Sequence, residues 1–108
     1  EKRKLNVSKN TFPDHPQIAV DPEGRVVVIW EEQGPVKRDV VMRVSTDRGA
    51  EFTTPHKLNE RKSQTPVVAV NGQGLFALAW MEHGMPGHKI VMQTMKVPSV
   101  KVAAEPVR

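Results

Sequence analysis

A displacement of 50 positions lays residues 16–46 over 66–96 without a gap, and this internal repeat narrows the possible folds more than any other feature of the chain. Nine of the 31 aligned pairs are identical, against about two expected from residue frequencies. The identities are Pro16/Pro66, Ala19/Ala69, Val20/Val70, Gly24/Gly74, Trp30/Trp80, Glu32/Glu82, Gly34/Gly84, Val41/Val91 and Met42/Met92. A lead-in recurs as well, Lys4-Leu5-Asn6 before the first copy and Lys57-Leu58-Asn59 before the second. The chain is therefore a tandem array of two similar units.

The local pattern of each copy is β. A short apolar run at residues 17–21 leads into Asp21-Pro22-Glu23-Gly24, with Pro second and Gly fourth as a type I turn prefers. Residues 25–32 (RVVVIWEE) and 75–82 (LFALAWME) follow, and their continuous apolarity predicts strands buried on both faces. The Ala and Leu of the second run also suit a helix, but the three consecutive Val of its homologue argue against that. Residues 39–45 and 89–95 alternate more clearly and predict third strands, with short fourth runs at 56–58 and 99–103. Leu5 and its neighbours take the place of a fourth strand from a preceding unit. The expected fold is therefore all-β, two tandem four-stranded antiparallel blades of a partial β-propeller, divided at residues 1–12, 13–62 and 63–108. A β-sandwich made of the same strands is the alternative.

Composition removes several function classes. The 108 residues include no Cys, hence no disulfide, thiolate metal site or Cys nucleophile. The longest apolar runs, 26–30 and 75–81, fall far short of the roughly 18 residues of a membrane helix, so no membrane span is expected. The formal net charge is +4, but Lys2, Arg3, Lys4, Lys9, Lys37, Arg38, Arg61 and Lys62 are scattered and the aromatics number five. No nucleic-acid partner is expected from that pattern.

Residues 45–52 read Ser-Thr-Asp-Arg-Gly-Ala-Glu-Phe, a Ser-x-Asp-x-Gly-x-x-aromatic pattern. A short acceptor at Asp47 can bind nearby N–H groups, Gly49 can take φ > 0, and Phe52 can fold back onto the sheet. This pattern, together with the Pro-x-Ile-Ala-Val-Asp-x-x-Gly-x-Val run that ends in Trp, resembles the Asp-box of the bacterial neuraminidase (BNR) repeat in sialidase-like β-propellers. The second copy departs from it, with Met95, Val97 and Ser99 where Ser45, Asp47 and Gly49 stand.

The resemblance implies a structural role for Ser45, Asp47, Gly49 and Phe52, on the turn opposite the functional face. It places the loops at 33–38 and 83–88 on that face, with Trp30, Glu32, Arg38, Trp80 and Glu82 as candidate ligand-facing residues. It also implies a periplasmic or extracellular setting and, as partners, the remaining blades of a parent propeller, further copies of the chain, or a carbohydrate or protein ligand. A sialidase would need a Tyr nucleophile, and the chain has no Tyr. No catalytic residue is therefore assigned. The expected function is a non-catalytic propeller segment serving structure, ligand binding or protein interaction. Its alternative is a section of an exo-sialidase-type glycoside hydrolase whose catalytic residues lie outside this chain.

A third reading comes from Met81, His83, Met85 and His88, thioether and imidazole donors crowded on one loop and suited to Cu(I). They make copper the one cofactor candidate and a periplasmic copper-handling module the corresponding function. No cofactor is expected otherwise. The recurrence of Glu32 and Glu82 follows from the repeat itself, and His15 and His56 show no partner at ligand spacing and read as loop or turn residues.

Overall fold

The computed structural model describes residues 2–98 and contains seven strands in two antiparallel sheets, with no helix among those residues. The first sheet has the order β1 (Phe12–Val20), β2 (Val26–Gln33), β3 (Arg38–Ser45), β4 (His56–Lys57). The second has the order β5 (Ser63–Val70), β6 (Leu75–Glu82), β7 (Lys89–Lys96). The fold is all-β as expected, and the helical alternative for residues 75–82 is excluded by β6. The expected fourth strand of the second unit, 99–103, lies outside the described residues.

The 50-residue period extends to the hydrogen-bond ladder. Gln17 pairs with Ile29 and Ile18 with Val28, while Val67 pairs with Ala79 and Val68 with Leu78. Both ladders are interrupted at the same place, between Asp14 and Gln17 and between Gln64 and Val67. The identical Pro16 and Pro66 explain this, because a residue without an N–H belongs at a bulge rather than in a paired ladder. The residues just before them, His15 and Thr65, both have positive φ, 51° and 58°. The bulge lets β1 start at Phe12, five residues before the apolar run begins.

The β1–β2 and β5–β6 turns also match. The Asp21 carboxylate accepts the N–H groups of Glu23 and Arg25 at 2.9 and 2.8 Å, and Asn71 accepts those of Gln73 and Leu75 at 2.9 and 3.0 Å. Gly24 and Gly74 close these turns at φ of 85° and 80°, a region open to glycine.

The core lies between the sheets. Val27 and Ile29 of β2 and Val40 and Met42 of β3 meet Phe76, Leu78 and Trp80 of β6. The opposite face of the first sheet carries Val26, Val28, Trp30 and Val41, covered by Leu5 and Phe52. Thus β2 is buried on both faces, as its composition predicts. The expectation for residues 75–82 fails on one side: Phe76, Leu78, Trp80 and Glu82 are buried, while Leu75, Ala77, Ala79 and Met81 are only half-buried because no sheet covers them. The predicted alternation of residues 39–45 also fails, since Asp39, Val40, Val41 and Met42 are all buried in a strand covered on both sides.

Candidate functional site

The two ends of the sheets differ in chemistry. At the end that holds the β1–β2 turn, Arg48 N–H donates to the Gly24 carbonyl at 3.0 Å, which sets the β3–β4 connection beside that turn. There the buried Ser45 hydroxyl donates to Asp47 Oδ1 at 2.7 Å and accepts the Gly49 N–H at 2.8 Å. The same Asp47 oxygen accepts the Glu51 N–H at 2.9 Å. Gly49 adopts φ 87°, and Phe52 packs on the Val26, Val28, Trp30 and Val41 face. Arg3 and Arg43 lie over the Phe52 ring, and Arg43 also binds the Leu5 carbonyl at 2.6 Å, which straps the N-terminal segment to the sheet.

The Glu51 N–H and the Ser45 hydroxyl hold the Asp47 carboxyl below its ordinary 3.8. The lock is therefore complete above about pH 4 and is lost as pH falls through the depressed pKa. Ser45→Ala is expected to destabilise the chain by about 1–2 kcal/mol, since it strips a buried hydroxyl from three turn groups. Asp47→Ala should lower the melting temperature at pH 7 in the same direction, with the difference from the parent chain vanishing in acid.

At the opposite end a polar seam joins the sheets. Arg38, the first residue of β3, donates to Gln64 Oε1 at 2.6 Å and to Gln33 Oε1 at 3.2 Å. Gln33 in turn donates to Glu31 at 3.0 Å and to Asp14 at 3.2 Å. Glu31, only 1% exposed, accepts the Thr65 N–H of the second sheet at 2.6 Å. On the other side of the seam His83 Nε2 lies 2.8 Å from Gln64 Oε1, and the His83 and His88 rings meet edge to face with centroids 4.6 Å apart. Burial, then electrostatic repulsion from His88, Lys62 and Arg38, pulls the His83 pKa below its ordinary 6.5.

Of the five candidate ligand-facing residues, Arg38 joins this seam. Trp30 and Glu32 form their own pair on the outer face of the first sheet, with Trp30 Nε1 donating to Glu32 at 2.6 Å and Thr11 donating to the same carboxylate. Trp80 and Glu82 face the core from the second sheet, Glu82 with Lys89 at 3.6 Å, so the first sheet stands between the two Trp–Glu pairs. Trp80 Nε1 is buried without a partner among the described residues. Of the Met/His loop, His83 and His88 come together, Met81 lines an apolar groove with Val67, Ala79 and Ile90, and Met85 is exposed.

The sequence reading of His15 needs correction. Rather than lying on a loop without partners, it sits at the β1 bulge with Nδ1 3.0 Å from Glu31 Oε2 and 3.5 Å from Asp14 Oδ2. Glu31 comes from the neighbouring strand in a register that the bulge shifts, so no spacing in the sequence announces the pair. His56 likewise lies in a strand, β4, paired with Met42.

No family model, no curated protein and no solved structure matches the chain.

Proposed function

We propose that the chain is two consecutive blades of a sialidase-like β-propeller, and that its work in this span is to build the ring and present the polar seam to a ligand or partner rather than to catalyse. One observation carries the reading: the two repeats pack through unlike faces. The first sheet turns the face of Ile29 and Met42 toward the second, whereas the second turns toward the first the face of Phe76 and Leu78, which are the repeats of Val26 and Val28. Two equal repeats closing a sandwich about a twofold axis would bury the same face of each. Unlike-face packing generates a ring or an open array.

Such packing leaves each outer surface with residues whose repeats are buried. Met92 is 66% exposed although its repeat Met42 is 8% exposed, and Ile18 is 63% exposed although its repeat Val68 packs against the core. Apolar patches of that kind mark surfaces that another sheet covers.

Sedimentation equilibrium of the chain tests this. It is expected to associate at micromolar concentration, and Ile90→Asp with Met92→Asp is expected to return it to monomer while the fold is kept. A cooperative monomer with those two residues unchanged would overturn the reading.

A further inference from the structure

We propose that Asp14, His15 and Glu31 form a binding site for a first-row divalent cation of the zinc type, built on the β1 bulge. The inference is independent of the propeller reading, because it rests on side chains of one sheet.

The first support is geometric. One donor atom from each residue lies within 4.8 Å of the other two, with His15 Nδ1 at 3.0 Å from the Glu31 oxygen and 3.5 Å from the Asp14 oxygen. An ion bound at about 2.0–2.2 Å from nitrogen and oxygen donors holds those donors roughly 3–3.6 Å apart, so the two measured separations already fit one coordination sphere. Both carboxylates are oriented from outside the site. The Gln33 amide donates to each of them, the Thr65 N–H to Glu31 and the His15 N–H to Asp14 Oδ1 at 2.9 Å. Such supporting bonds are the ones that hold ligands in place around a metal.

The second support is electrostatic. Glu31 is among the most buried side chains of the described residues, yet no Lys or Arg among them pairs with it, and its one ion-pair partner there is His15. By contrast, the buried Asp21 has Arg25 and the buried Asp39 has Lys37 and Lys57. A carboxylate taken out of water without a fixed cation is costly, and a bound divalent ion removes that cost.

The third support is the repeat itself. The second sheet has the same bulge and the same positive φ, with Gln64, Thr65 and Met81 where Asp14, His15 and Glu31 stand. The backbone therefore does not require the three donors, and their presence in the first copy needs another explanation. Imidazole with two carboxylates suits Zn²⁺ and its divalent neighbours rather than the Cu(I) suggested by the Met/His loop. His15 and Asp14 are half-exposed, which leaves the outer coordination positions to water or to a ligand's oxygen.

Titration of the EDTA-stripped 108-residue chain with Zn²⁺ at pH 7, by calorimetry and by melting temperature, provides the test. One site is expected, with a rise in melting temperature on binding. Glu31→Gln, which keeps an acceptor for Thr65 N–H, and His15→Asn, which tolerates positive φ, should each weaken binding by about tenfold or more. Should either variant fail to fold by far-UV circular dichroism, Asp14→Asn on the exposed side carries the same expectation. The double variant His83→Ala, His88→Ala should bind as the parent does. The proposal is overturned if Zn²⁺ produces neither heat nor a thermal shift, if the folded site variants bind undiminished, or if only the His83, His88 variant loses the ion.

Discussion

Phe76→Ala is expected to cost about 3–5 kcal/mol, a large part of the roughly 5–15 kcal/mol that holds a domain of this size together. Phe76 is fully buried and lies where β6 meets Val27, Ile29 and Met42 across the gap between the sheets. The first sheet cannot follow the truncated side chain inward, since it is also held against Leu5 and Phe52 on its far side. The lost transfer energy and the residual cavity therefore add. Met92→Ala, on the uncovered face of the same sheet, should change the stability of the monomer by no more than about 0.5 kcal/mol. Urea denaturation of both variants checks the contrast. Equal effects would mean that the core does not lie between the sheets.

Asp21→Ala is expected to cost about 3 kcal/mol or more, the effect of breaking a buried ion pair by removing one partner. Asp21 is buried and its second oxygen binds Arg25 Nε, while Arg25 Nη1 reaches across to the Val97 carbonyl at 3.1 Å. A Cβ on Gly74 would fall 2.7 Å from Arg25 Nη2, so the turn of the second sheet packs directly on this pair. The pair thus closes one turn and fastens the two sheets at that end.

Asp21→Asn separates the two roles. Asn71 already closes the corresponding turn of the second sheet, so asparagine should keep the turn bonds and lose only the ion pair, with an intermediate cost. Burial pushes the Asp21 carboxyl upward, but bonds from the Arg25 N–H, the Arg25 guanidinium and the Glu23 N–H outweigh it and hold the pKa below 3.8. The contribution is therefore present throughout neutral and mildly acid solution and disappears only as pH falls below that value. Denaturation of the parent and of Asp21→Asn from pH 7 to pH 2 should show the gap between them closing in acid.

The sequence on its own determined the period, the β character and the turns. These are local matters: three consecutive Val disfavour a helix wherever they stand, and Asp21-Pro22-Glu23-Gly24 makes its turn from its own backbone. The 50-residue identities placed Pro16 and Pro66 at equivalent points, although their meaning as bulges appeared only with the ladder.

Tertiary structure alone decided which face of each strand is covered and which side chains meet. Residues 75–82 are as continuously apolar as residues 25–32, yet one face of β6 stays open because burial depends on a neighbouring sheet and not on the strand's own composition. His15 and Glu31 are 16 positions apart with no helical or strand spacing to link them, and only the shifted register of β1 on β2 puts them 3.0 Å apart. Arg38 lies in β3, Gln64 in β5 and His83 just beyond the end of β6, and only the packing of one sheet on the other brings them into one seam. Local propensity is written along the chain, whereas a site made across a bulge and between two sheets depends on register and packing, which are properties of the folded pair.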